Sequence, residues 1–136
     1  MSVIEELIRL EDNGNISFGN YLMDEKKKVL DFEVLGNLYK VKTYKDITKL
    51  EKNGKMLLET VPGSTIHNFN MDAKTITFEV EAAEDVQITM EIEPEKEYKL
   101  SLDDMVVGKI SSNIGGKISF SVELNKGRSD VKIEKM

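Results

Sequence analysis

The stretch "TITFEVEAAEDVQITMEIE" (75–93) decides the fold. Ile76, Phe78 and Val80 alternate with Thr75, Thr77, Glu79 and Glu81. Val86, Ile88, Met90 and Ile92 then alternate with Gln87, Thr89 and Glu91. Successive side chains of a strand point to opposite faces. The pattern therefore gives two strands, each with one dry face and one wet face, as in antiparallel sheets.

The same period of two extends in both directions. Downstream it is carried by Tyr98, Leu100 and Leu102, by Ile118, Phe120, Val122 and Leu124, and by Val131 and Ile133. Upstream it is carried by Ile16 and Phe18, by Leu30, Phe32 and Val34, and by Tyr39, Val41 and Thr43. Turn chemistry separates the runs. Gly36-Asn37 and Asn53-Gly54 read as two-residue hairpin turns, and Pro62-Gly63 ends a strand by removing a donor. Many short strands with turns between them predict an all-β fold, an antiparallel β-sandwich or two packed β-lobes. At 136 residues the chain suits a single domain, 1–136. Sub-lobes 15–63 and 64–136 stay open as an option. They rest on a faint echo between "FEV…YKVK" (32–42) and "MEI…YKLS" (90–101).

The N-terminus carries the one helical pattern. Val3, Ile4, Leu7 and Ile8 follow i, i+3, i+4 spacing, Ser2 to Glu5 is a capping box, and Asn13-Gly14 is a stop signal. This predicts a helix over 2–13. So short a helix is not stable alone, so its apolar stripe has to dock on the sheet or on a second copy.

Composition removes several chemistries. The chain has no cysteine, which excludes disulfides, thiolate nucleophiles and zinc–thiolate sites. One histidine, His67, excludes a multi-histidine metal centre. A net charge of -6 disfavours nucleic acid and anionic membrane as partners. No apolar run is long enough to span a bilayer, and acids stand where a secretory signal needs bases. The expected location is the cytoplasm, with no cofactor and no membrane insertion.

The average charge hides an asymmetry. Lys40, Lys42, Lys45 and Lys49 make the 40–55 stretch basic, and Glu79, Glu81, Glu91 and Glu93 make the 79–97 stretch acidic. Asp103-Asp104, in "SLDDMVVGK" (101–109), invites a metal-site reading. In a strand, adjacent acids point to opposite faces, and Met105, Val106 and Val107 add no oxygen ligands. The pair is read as a hairpin tip. The alternating acids around Pro94 have a spacing that glycosidase carboxylates would tolerate, but a charged strand face beside a proline turn is ordinarily solvated. His67 is the side chain best suited to general-base work near neutrality, beside a reading as a polar surface or interface residue. Tyr39 and Tyr44, interleaved with lysines, are candidates for stacking a sugar or a base, beside a reading as packing residues.

Once assembled, "VIEELIRLEDNGNISFGNY" (3–21), "LYKVKTYKDITKLEKNG" (38–54), "ETVPG" (59–63) and "SSNIGGKISFSVEL" (111–124) resemble a group of small bacterial proteins labelled endosialidase or endosialidase catalytic beta chain. The label implies sialic acid hydrolysis, which as a class uses larger propellers and several arginines to clamp the sugar carboxylate. This chain has Arg9 and Arg128 and no tryptophan, so the resemblance transfers no catalytic residue. The second half also looks like the β-sandwich modules that end many carbohydrate-active and surface proteins.

The resulting expectation is a non-enzymatic structural or interaction protein that self-associates into a homo-oligomer. Its candidate interface is the Val3, Ile4, Leu7, Ile8 stripe together with the basic and acidic stretches. The alternative is a glycan-binding accessory module or glycan-active hydrolase, using His67, Tyr39, Tyr44 or the 91–97 acids.

Overall fold

In a computed structural model of the chain, residues 3–124 and 127–136 are described. They form thirteen strands and, among the described residues, no helix. In chain order these are β1 (Ile8–Leu10), β2 (Ile16–Phe18), β3 (Lys27–Val34), β4 (Asn37–Tyr44), β5 (Ile47–Lys52), β6 (Lys55–Val61) and β7 (Thr65–Met71). They continue with β8 (Thr75–Glu81), β9 (Val86–Glu91), β10 (Glu97–Leu102), β11 (Met105–Ser111), β12 (Lys117–Val122) and β13 (Arg128–Lys135). Sheet A has seven strands in the order β1-β2-β7-β8-β13-β10-β11. Sheet B has six, in the order β12-β9-β6-β5-β4-β3. Every pairing is antiparallel.

The alternation read from the sequence is the packing of the sandwich. Ile76, Phe78 and Val80 of β8 meet Val131 and Ile133 of β13 and Leu100 of β10 on the inner face of sheet A. Val86, Ile88 and Met90 of β9 and Ile118, Phe120 and Val122 of β12 do the same for sheet B. Phe18, Phe69 and Phe78 form an aromatic row, with centroids 6.2 and 5.8 Å apart. Removing one of the fully buried side chains, such as Leu58, costs about 2–5 kcal/mol by this class of change.

One end of the core is polar. Thr43, Thr48, Thr60 and Ser64 are buried. Thr48 Oγ1 donates to the Ser64 carbonyl (2.7 Å) and accepts from Ser64 N–H (3.0 Å), and the Thr60 and Ser64 hydroxyls pair at 2.7 Å. Each of these four hydroxyls has a partner, which keeps the cost of their burial low. Gly63 is required there, because a Cβ would stand 1.9 Å from the Tyr44 carbonyl oxygen.

Two expectations are corrected, the N-terminal helix and the position of the first hairpin turn. The helix over 2–13 is absent from the described residues; Ser2, its cap, lies outside them. Leu7 adopts φ 74°, which breaks a right-handed helix, and Ile8–Leu10 pairs instead with Ile16–Phe18. The pairing satisfies backbone groups that a short helix would leave open. Ile4, Leu7 and Ile8 are buried in the domain itself, and Val3 is partly buried. The first hairpin turn is Leu35-Gly36 and not Gly36-Asn37, because Val34 pairs with Asn37. The 15–63 and 64–136 stretches share both sheets: β2 pairs with β7 in sheet A, and β6 pairs with β9 in sheet B. The echoed segments also differ in place. β3 and β4 are neighbours in one sheet, whereas β9 and β10 belong to different sheets.

Candidate functional site

The outer face of sheet A carries the densest polar constellation. Strand pairing aligns His67, Glu79 and Asp130 across β7, β8 and β13, and aligns Thr65, Glu81 and Arg128 beside them. Thr77, Lys132 and Ser101 form the next row. A register shift in β7 between His67 and Asn70 raises Asn68 out of the ladder, at φ 54°. Asn68 N–H then donates to Ser17 Oγ (3.0 Å).

His67 and Glu81 are buried, with side chains only 10% and 8% exposed. Nε2 of His67 lies 3.1 Å from Glu81 Oε1, and Tyr21 OH donates to Glu81 Oε2 (2.9 Å). The carboxylate therefore fixes the imidazole through one nitrogen. Burial, with the Glu81 hydrogen bond and charge, pushes the Tyr21 phenol up to about 12. Arg128 sits on the open side, paired to Glu79 and 3.9 Å from Glu81. Ser17 donates to Glu11, and this bond, with Arg9 3.1 Å away, holds the Glu11 carboxyl below its ordinary range.

Beside His67 a cavity of about 390 Å³ opens on this face. Glu79, Asp104 and Asp130 supply carboxylates to its wall. Asp130 has its carboxyl pushed up by burial and by the charges of Glu79, Asp103 and Asp104. Asp103-Asp104 is the hairpin tip expected, between paired Leu102 and Met105, with φ 51° and 66°. It has a second role. The Asp103 carboxylate accepts from Asp130 N–H (2.9 Å) and Ser129 Oγ (3.1 Å), clamping β13.

The other predicted residues fall elsewhere. Lys42 and Lys49 face outward from sheet B, aligned with Lys28 on one side and Glu59 on the other. Burial, then Lys26, Lys49 and Lys28, holds the Lys42 ammonium below its ordinary range. Lys40 pairs with Glu51 (3.8 Å), and Lys45 lies in the β4–β5 turn. Glu91 stands opposite Lys117, and Glu93 accepts from Lys135 (2.8 Å). Tyr39 faces inward against the core and Tyr44 is five residues along, on the opposite face, so the two cannot make one stacking platform.

Sequence reading missed Tyr21 as a partner of Glu81, Glu81 as a buried partner of His67, and Arg128 and Asp130 as their neighbours. Alternation does put Glu79 and Glu81 on one face. Only the β8–β13 pairing, between segments far apart in the chain, brings them to Arg128 and Asp130. No protein-family model, no curated protein and no solved structure matches the chain.

Proposed function

We propose that the chain is a non-enzymatic interaction module that self-associates, with the outer face of sheet B of one copy meeting the outer face of sheet A of the next. The observation that supports this reading is a pair of frustrated charge clusters of opposite sign on the two outer faces. Lys26, Lys28 and Lys42 have no ion-pair partner among the described residues, and neither have Asp103, Asp104 and Asp130. Like charges held together inside one molecule are costly, and the opposite face of a neighbour relieves both clusters at once. Such a contact is heterologous, so it builds rings or filaments rather than closing as a symmetric pair.

Light scattering after size exclusion tests this at about 0.01 M and about 1 M salt, where the screening length falls from about 30 Å to about 3 Å. The expected result is an oligomer at low salt and a monomer at high salt. K42E/K49E and D104K/D130K are each expected to be monomeric, and mixing them to restore assembly. A monomer at every salt and concentration removes the reading. Assembly that survives both charge reversals but is lost in Val106→Lys moves the contact to the exposed β11 edge.

A further inference from the structure

We infer that the sandwich has a built site for a single water beside the Glu93–Lys135 ion pair, where the water accepts from the Tyr98 hydroxyl and donates to the Glu93 carboxylate. Tyr98, in β10, is only 3% exposed, and its ring belongs to the core. Its hydroxyl oxygen is the one sealed side-chain polar atom among the described residues that lacks a hydrogen-bond partner. Buried polar atoms are almost always paired, and leaving one unpaired is costly. Phenylalanine would fill the same space without that cost.

A second observation supplies the partner. Tyr98 lines a cavity of about 20 Å³. A water needs about 10–15 Å³ and two to four polar neighbours, so there is room for one and not for two. Ile76, Ile92 and Ile133 make most of the wall apolar, and Glu93 and Lys135 make it polar. Lys135 stands opposite Tyr98 in the β10–β13 pairing, so the two side chains leave the same face of sheet A. The Lys135 ammonium donates to Glu93 Oε2 (2.8 Å). The other oxygen, Oε1, has no partner among the described residues. Burial and the Glu93 charge push the Tyr98 phenol up, which agrees with a carboxylate near the hydroxyl. The Glu93 backbone N–H also acts on the phenol, but it stops short of hydrogen-bond geometry. It is a donor in any case, so it leaves the Tyr98 O–H without an acceptor.

A water completes the set, because it takes that hydrogen and gives one of its own to Glu93. A cation would bring a charge that Lys135 already supplies, into a mostly apolar wall, so the guest is neutral. The site also has a place in the topology. Residues 92–96 carry the chain from β9 in sheet B to β10 in sheet A, and the water joins that crossing to the end of β13.

This inference does not depend on self-association. Magnetic relaxation dispersion of the water oxygen nucleus counts long-lived waters and is blind to exchange of hydroxyl and ammonium protons. It is recorded for the native protein and for Tyr98→Phe, with denaturant unfolding of both. The expected result is one long-lived water fewer in Tyr98→Phe, and a folding equilibrium constant lowered about fivefold, the scale of one hydrogen bond. In the native protein, water cross-peaks are expected at the methyl groups of Ile92 and Ile133, a reading that stands even where the variant does not fold.

Higher stability in Tyr98→Phe would show that the hydroxyl is unpaired and overturn the water. Lower stability with an unchanged water count would assign the phenol to a direct bond within the protein, with the same consequence. So would native isoleucine methyls that show no contact with water. Saturable shifts of the Tyr98 ring signals with ammonium chloride, and none with sodium chloride, would overturn the choice of a neutral guest.

Discussion

Single carboxylates on this face respond to acid in opposite directions. Glu11 has its carboxyl lowered from 4.5, chiefly by the Ser17 hydroxyl. A lowered acid stabilises the fold fully above its unfolded value, and the contribution is lost as pH falls through the folded value. Asp130 is raised from 3.8 by burial and by neighbouring acids. A raised acid does the reverse, and the fold gains as pH falls through the raised value towards 3.8. Glu11→Ala is therefore expected to lower the melting temperature by about 3 °C at neutral pH, with the deficit shrinking by about pH 3. Asp130→Asn is expected to raise it by about 1 °C at neutral pH and to do nothing in acid. Thermal melts across that range check both, and an unchanged acid limb in Glu11→Ala would remove the assigned role of Ser17. The Asp103-Asp104 pair shows what sequence delivers at this scale. Its turn was legible from neighbours, but its grip on Ser129 and Asp130 was not, because nothing local encodes a partner in β13.

At the scale of elements, three hairpins share one turn geometry. Leu35-Gly36, Asn53-Gly54 and Asp103-Asp104 each place two consecutive residues at positive φ, as a type I′ turn requires. Asparagine, aspartate and glycine tolerate this, but Leu35 does not, and it stands 97% exposed at φ 50° with nothing to pack on. Leu35→Asn is expected to stabilise the protein by about 1 kcal/mol, read by denaturant unfolding with an unchanged m-value. A loss of stability would remove the backbone strain assigned to Leu35. Strand positions were legible wherever one face is wet, as in β8, β9, β10 and β12. They failed where both faces are covered or the strand is very short. β7, with Asn68 and Asn70 beside His67, does not separate from a loop in the sequence because its bulge breaks the alternation. β1 mimics a helix because three apolar residues at helical spacing are equally well buried by a bent chain. Sequence separation hides the site for a different reason, since its rows combine β7, β8, β13 and β10.

For the whole molecule, the sheet order puts the last of the thirteen strands in the middle. β13 lies between β8 and β10, with Ser129, Val131 and Ile133 buried. Its backbone pairs along both sides, from Arg128↔Glu81 to Tyr98↔Lys135. A chain truncated after Gly127 is expected to lose its cooperative thermal transition, followed by calorimetry, and retention of that transition would show that the two flanking pieces are stable apart. Non-local pairings of this kind also slow folding. Without β13 the strands of sheet A fall into two groups that share no pairing, β1-β2-β7-β8 and β10-β11. β13 is synthesised after both of its neighbours, so the join between the two groups is the part of this sheet that the ribosome delivers last among the described strands.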